Sequence, residues 1–331
     1  MKGSYDVKVW NRRVQYKFTI RRNLTILRGD SATGKTTLID LIASYQANGA
    51  HSGVSVQCDK PCVVLSALNW EQNLSLIQNS IVFIDEGDPF VATKEFARAA
   101  QKSNNYYVIA TRASLFNLPY SVTEIYGIRN ISGNLYEGTK RLYSQFYPLY
   151  TIPSKNEKPD LVIVEDAHSG FEFFSKICSD HGIQCISAKG KSNIYPEIVK
   201  RSHNEKILAI ADGAAFGPEI ERVVALRNVR SLSIYLPESF EWIILKSGVI
   251  PQRISIKNIL ESPSAHIESS EYFSWEQFFS AILIQITNDT YLKYQKSTLN
   301  PVYLQKKESE KILDVIAETT SAFLSPIEPK Q

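Results

Sequence analysis

The octapeptide Gly29-Asp30-Ser31-Ala32-Thr33-Gly34-Lys35-Thr36 fits the pattern G-x-x-x-x-G-K-[ST], and its flanks limit the folds open to the chain. Before it, Asn23-Leu24-Thr25-Ile26-Leu27-Arg28 reads as a short buried strand. After it, Thr37-Leu38-Ile39-Asp40-Leu41-Ile42 puts apolar residues on the inner face of a helix. A strand, a glycine loop and a helix in that order make a phosphate cradle. The glycines let backbone N–H groups turn inward, and the helix N-terminus adds the positive end of its dipole. Lys35 is placed to bridge the β- and γ-phosphates and Thr36 to ligate Mg²⁺, with Thr37 adjoining the cradle. A nucleoside triphosphate is therefore the expected ligand.

A length of 331 residues allows two domains with separate cores. Hydrophobic content of 44% and charged content of 21% are those of a water-soluble globular chain. A net charge of +3 does not by itself announce nucleic-acid binding, although it leaves room for a local basic groove. The four cysteines (Cys58, Cys62, Cys178, Cys185) show no C-x-x-C spacing and the five histidines form no cluster. A structural zinc site and a disulfide framework are not expected, and a reducing cytoplasm fits. Met1–Trp10 has no apolar run of signal-peptide length, and no stretch approaches the ~20 apolar residues that span a bilayer.

Downstream, Val63–Ala67 reads as a strand, and Ser80-Ile81-Val82-Phe83-Ile84-Asp85-Glu86 as an apolar strand ending in two carboxylates. That is a Walker B pattern: Asp85 would hold Mg²⁺ through its water shell beside Thr36, and Glu86 would orient an attacking water. The Asp85-Glu86 pair favours hydrolysis over a P-loop kinase. Tyr106–Arg112 is a further buried strand with polar residues at its end. There Thr111 or Arg112 could sense the γ-phosphate, and Arg112 could equally be a salt-bridge partner. Val122–Ile128 and Asn134–Lys140 look like closing strands around the turn Ile131–Asn134. No guanine-reading N-K-x-D element is present, so ATP is the default nucleotide.

Thr151–Pro159 is polar and proline-bounded, the composition of a linker. The pattern then restarts. Leu161–Asp166 is a strand ending in acids, Gly170–His181 a helix with Phe171, Phe174, Ile177 and Cys178 on one face, and Gln184–Ala188 a second strand. Lys206–Gly213 is a third, closed by Asp212. Strands alternating with helices imply a parallel sheet, whose ligand site lies at the carboxyl ends of its strands. Glu165, Asp166 and Asp212 would converge there, suited to divalent cations. Lys189 and Lys191 would meet phosphates of a nucleic acid. From Ile254 the chain turns helical. Ser274 caps a helix that carries Ile282 and Ile286, followed by Tyr291 and Tyr294, and Glu308–Ala322 is a last amphipathic helix. Both faces are expected to pack within the chain, and Ser325–Gln331 to be disordered.

The first set of motifs resembles the ATPase domains of the ABC and overcoming-lysogenization-defect (OLD) superfamily, with Tyr5–Trp10 and Val14–Ile20 as its leading strands. It departs in lacking an LSGGQ-type signature between Thr36 and Asp85 and a histidine after Thr111. The second set resembles a toprim domain: Glu165 matches the glutamate closing its first strand, Lys189–Asn193 the segment after its second, and Asp212-Gly213-Ala214 the first acid only of its D-x-D motif. With Ala214 in place of an acid, either Glu219 or Glu238 compensates, or the site binds a single metal or none. The resemblance implies an α/β fold: a P-loop NTPase domain over 1–150, a linker over 151–160, a toprim-like domain over 161–255 and a helical extension over 256–324. It further implies, as in OLD-family and PARIS-type phage-defence proteins, an ATPase coupled to a nuclease-type site. That site would have Glu165 and Asp212 as catalytic and metal-binding residues and Mg²⁺ or Mn²⁺ as cofactor. A nucleotide-dependent sensor with an inert toprim domain, controlling a separate protein effector, is the alternative. A homo-oligomer is expected, and no membrane partner.

Overall fold

The computed structural model describes residues 1–29, 34–131, 141–151, 158–251 and 254–318. The chain divides into two compact units. The first holds Met1–Thr151 with Ser262–Ser274, and the second the described residues of Ile152–Glu261 and Trp275–Gln331.

Nine strands among the described residues of the first unit form one mixed sheet. They are β1 (Tyr5–Trp10), β2 (Val14–Ile20), β3 (Leu24–Leu27), β4 (Ser55–Gln57), β5 (Cys62–Val64), β6 (Ile81–Ile84), β7 (Tyr106–Ala110), β8 (Ile125–Asn130) and β9 (Leu142–Pro148). The order is β4-β1-β2-β9-β8-β3-β7-β6-β5. The run from β8 to β5 is parallel throughout, whereas β1 pairs antiparallel with β2 and β4. The sequence explains the division. In β2, Val14, Tyr16, Phe18 and Ile20 are buried and alternate with Gln15, Lys17 and Thr19, the period of a strand with one covered face. By contrast β3, β6 and β7 are buried at every position, as strands covered on both faces must be. Three helices accompany this sheet: α1 (Lys35–Asn48), α2 (Trp70–Leu76) and α3 (Lys94–Lys102). Of these, α1 buries Leu38, Ile39, Leu41 and Ile42, which lie three to four residues apart on one helix face.

The second unit is built on four parallel strands, β10 (Leu161–Val164), β11 (Gln184–Ser187), β12 (Ile207–Ile210) and β13 (Leu232–Tyr235), in the order β11-β10-β12-β13. Its helices are α4 (Ser169–Asp180), α5 (Lys191–Val199), α6 (Gly217–Ala225), α7 (Phe240–Lys246), α8 (Ile254–Glu261), α9 (Trp275–Thr287) and α10 (Lys306–Ala317). From β10 the chain moves outward to β11, then returns to the other side for β12. The switch between β10 and β12 opens a crevice at their carboxyl ends.

An α/β chain with a large, parallel-rich sheet and a second parallel sheet is thus what the sequence folds into. Several details differ from expectation. The closing strand assigned to Asn134–Lys140 falls outside the described residues, and the strand pairing with β8 is β9, at Leu142–Pro148. Val122–Glu124 is a single 3₁₀ turn rather than the start of a strand. In α4 the buried stripe is Gly170, Phe173, Phe174, Ile177 and Cys178, with Phe171 only half-buried. That spacing of three and four residues is the helical one, and it lets Phe173 and Phe174 pack on Phe240 at ring separations of 5.3 and 5.9 Å. Tyr294 is buried and Tyr291 is 73% exposed, so the two do not share a packed stripe. Residues 319–331, which include the expected end of the last helix and the tail, lie outside the described residues. No helix of the described residues is long and apolar enough to cross a membrane.

Candidate functional site

Strands β3, β7 and β6 end level because Leu27 pairs with Ala110 and Ile109 with Ile84. Their carboxyl ends therefore bring Gly29, the Thr111-Arg112 pair and the Asp85-Glu86 pair to one edge of the sheet, with β7 between the other two. At the start of α1, Gly34 has φ +95, and a Cβ there would stand 2.7 Å from the Tyr16 hydroxyl. Glycine is required on both counts: the left-handed backbone and the close approach. The Tyr16 hydroxyl donates to the Gly34 carbonyl at 3.0 Å and so props the turn from below.

Lys35 is buried, and its ammonium donates to the Gly29 carbonyl at 2.6 Å. It also lies 3.7 Å from Glu86 Oε2, and Arg112 Nε pairs with the other oxygen of the same carboxylate. Of the two roles considered for Arg112, the salt bridge is the one present, with Glu86. Thr36 Oγ1 comes within 3.5 Å of Asp85 Oδ1, which also accepts the Glu86 N–H at 2.7 Å. Asp30, Ser31, Ala32 and Thr33 lie outside the described residues. Thr37 is exposed, and its hydroxyl bonds to the side chain of Tyr16. Behind the loop, buried Arg28 donates to the Ala113 carbonyl (3.2 Å), Ser114 Oγ (3.0 Å) and the Tyr120 hydroxyl (3.3 Å), tying the phosphate-loop strand to the loop after β7. A cleft of 310 Å³ opens beside Glu86, Asp88, Thr111 and Arg112. One hydroxyl and one carboxylate side by side, with a buried ammonium next to them, fit Mg²⁺ held together with a triphosphate. That hard cation keeps waters and takes few protein oxygens.

In the second unit the crevice at the switch point is a cleft of 280 Å³. Glu165 follows β10 and Asp212 follows β12, and the backbone N–H of Asp212 donates to Glu165 Oε2 at 3.0 Å. Burial, and then the charges of Glu276 and Asp166, push the Glu165 carboxyl up to about 7. Burial also raises Asp212 well above the carboxylate range, reinforced by Glu276, Glu165 and Glu241. Among the described residues the Asp212 carboxylate makes no hydrogen bond or ion pair, although the charge of Lys296 acts on it.

The other acids are engaged. Asp166 lines the cleft beside Glu165 and Asp212, as expected, while its oxygens accept the N–H groups of Ala167 (2.7 Å), His168 (3.1 Å) and Gly170 (2.7 Å) at the start of α4. A carboxylate three residues before the first residue of a helix meets orphan N–H groups, and that local demand engages its oxygens. Buried Glu241 accepts the Tyr294 hydroxyl at 3.0 Å, so Ser169, 2.6 Å away, must donate to Tyr294. Glu276 accepts Lys296 Nζ at 2.6 Å. Neither Glu219 nor Glu238 lines the cleft, and Glu219 pairs with Arg222, so neither replaces the acid missing at 214.

The departure at Ala214 has a packing reason nearby. Gly213 N–H donates to the Pro237 carbonyl at 2.6 Å, and a Cβ on Gly213 would lie 2.7 Å from the Leu236 carbonyl oxygen. Ala214 next to it is 2% exposed. A carboxylate in that slot would be desolvated without a partner. Of the two lysines expected to meet phosphates, Lys189 lines the cleft. Lys191 instead donates to the Ala215 carbonyl at 2.9 Å and is depressed by burial against the pull of Glu165, Glu219 and Glu276.

Among the described residues no group of three or more His, Cys, Asp or Glu side chains is arranged to hold a metal ion. Two carboxylates with waters and substrate phosphate are enough for Mg²⁺. Glu165 and Asp212 fit one such ion and do not fit two. Sequence reasoning missed Glu276 and Lys296 as lining residues; a strand-end pattern marks Glu165 and Asp212 but gives no sign of groups carried in by later segments.

Compared with known proteins, the chain matches no family model, no curated protein and no solved structure.

Proposed function

We propose that the first unit binds and hydrolyses ATP with Mg²⁺, and that the second acts on the phosphodiester backbone of nucleic acid with Mg²⁺ or Mn²⁺. Nucleotide state gates the second activity. The observation that carries the reading is the meeting of Lys35 and Thr36 with Asp85 and Glu86 at one sheet edge. Bound Mg²⁺ would supply charge to the β- and γ-phosphates, and Thr36 and Asp85 would hold it. Lys35 neutralises charge that develops on the phosphate oxygens. Glu86 orients a water whose oxygen forms the new bond to the γ-phosphorus while the bond to the β-phosphate oxygen breaks. Arg112, on the same carboxylate, is placed to trade Glu86 for the γ-phosphate, which couples nucleotide arrival to the release of Glu86.

At the second unit, Glu165 and Asp212 at a switch-point cleft, with Lys189 on its rim, support phosphate chemistry. From the resemblance to OLD and PARIS-type proteins we further propose a role in phage defence or conflict with mobile elements, exercised in the cytoplasm by a homo-oligomer. One observation favours a second reading, a nucleotide-dependent sensor that controls a separate protein effector: among the described residues no three acids come together to hold a metal. The test of the first unit is steady-state ATP hydrolysis. Replacing Lys35 by alanine is expected to lower turnover at least about 100-fold with an unchanged circular-dichroism spectrum. Turnover within a few-fold of the parent would reject the phosphate-loop assignment.

A further inference from the structure

The second unit brings a lysine into its acid cleft by a route that has no other evident purpose. Between Thr287, the last residue of α9, and Lys306, the first of α10, the chain is irregular apart from one 3₁₀ turn, Pro301–Leu304. It is nevertheless bolted down. Tyr294 N–H donates to Thr287 Oγ1 at 3.0 Å, and the Tyr303 hydroxyl to the Leu292 carbonyl at 2.6 Å. The carbonyl of Lys296 itself accepts the N–H of Ser169, the first residue of α4, at 3.3 Å. Leu299 N–H donates to Glu172 Oε2 at 2.7 Å, one turn along the same helix. Tyr294 completes the strap through Ser169 and Glu241.

The product of this strapping is the position of the Lys296 ammonium, 2.6 Å from Glu276 Oε1 and on the lining of the cleft that holds Glu165, Asp212 and Glu241. Burial alone would depress this lysine, but Glu241, Glu276 and Asp212 together hold it above its ordinary range, so it stays charged. An ammonium has three donors. One is taken by Glu276, and two are left for oxygens of an incoming group.

Two-cation phosphodiester sites need carboxylates on both sides of the scissile phosphate. Here the two further carboxylates on the lining are engaged, Glu276 by Lys296 and Glu241 by Tyr294, so neither is left over for a second ion. We propose that Lys296 takes the place of the second divalent cation: the cleft binds one ion, on Glu165 and Asp212, and Lys296 supplies the other positive charge to the phosphate. This rests on the reading of the second unit as a phosphodiester site. In the hydrolysis itself a water oxygen forms the new bond to phosphorus and the bond to the leaving sugar oxygen breaks. The leaving oxygen takes up a proton and the water gives one up. Lys296 contributes charge and donors only, with no covalent step.

The test counts ions rather than turnovers. Free Mn²⁺ is measured by electron paramagnetic resonance during titration of the full chain in an Asp85→Asn background, which removes the carboxylate ligand of the first unit. One Mn²⁺ per chain is expected, and none once Asp212→Asn is added. Lys296→Met, or Lys296→Gln should the first variant melt early, is expected to raise the count to two, with Lys296→Arg remaining at one. Two ions bound while Lys296 is in place, or a count that stays at one in both neutral variants, overturns the role of Lys296 and leaves the site itself standing. No Mn²⁺ bound by any variant overturns the phosphodiester reading and the role of Lys296 together.

Discussion

Both candidate sites lie at the carboxyl ends of parallel strands, yet the chain assembles them differently. At the phosphate loop, the groups expected to meet a nucleotide sit on a contiguous octapeptide and on the two loops next to it, held level by the β3-β7-β6 register. Their supports, Tyr16 and Arg28, come from β2 and from the residue after β3, close by in sequence. The acid cleft gathers Glu165, Asp212, Glu241, Glu276 and Lys296 from five separate segments. Its charge balance depends on a strap whose bonds join residues far apart in sequence, such as Ser169 with Tyr294. A site built on one loop can be lost through one residue. A site built on many segments depends on long-range packing to bring its groups together.

The contrast can be broken most directly at Glu86. Glu86→Gln is expected to cut ATP turnover about 100-fold, since a positioned base contributes 10²–10⁴-fold, while nucleotide affinity changes only a few-fold. Turnover and affinity falling together would show that Glu86 serves binding, and the division of labour on that edge would be wrong. A smaller effect is expected at the cleft floor. Gly213→Ala forces a Cβ against the Leu236 and Pro237 carbonyl oxygens, which are backbone and cannot swing away. A loss of about 2 kcal/mol in denaturant unfolding is expected, with weaker Mn²⁺ binding as Asp212 shifts. Unchanged stability would mean that the β12–β13 ends are looser than drawn.

The smallest effect concerns pH. Glu165 has its pKa raised from 4.5 to about 7 in the folded chain. Its folded state is therefore unpenalised below about pH 4.5, and stability is lost as pH rises towards 7, where the buried carboxyl must ionise. Glu165→Gln removes this loss. In chelator-treated buffer the variant should gain about 1–2 kcal/mol on the parent between pH 5 and 8, a figure reduced for partial exposure. A stability difference that is flat across that window would place Glu165 in a more polar setting than its neighbours imply.

What could be read from sequence follows the same contrast. The phosphate loop and the Asp85-Glu86 pair are local patterns, and so are the acids closing β10 and β12. The burial of Phe173 rather than Phe171 was not legible from spacing, because Phe171 also stands three residues before Phe174 and seven before Cys178; the packing of Phe173 and Phe174 on Phe240 decides it. Asp166 reaches the cleft as expected, but the sequence gives no sign that three N–H groups at the start of α4 take up its oxygens. Glu276 and Lys296 gave no signal at all. One opens a helix and the other lies in an irregular segment, and only the bonds from Ser169 and Glu172 bring that segment to the cleft. Long-range hydrogen bonds of this kind leave no period in the sequence.

The most direct test of the coupled account is cleavage of plasmid DNA and structured RNA by the purified chain, with Mg²⁺ or Mn²⁺ and with or without ATP. Lys35→Ala, Glu165→Ala and Asp212→Ala run alongside. The account expects cleavage that requires the divalent ion and responds to ATP, that loses its ATP response in Lys35→Ala, and that disappears in both acid variants. Cleavage unchanged by Glu165→Ala and Asp212→Ala, or no cleavage under any condition while ATP is still hydrolysed, would contradict it.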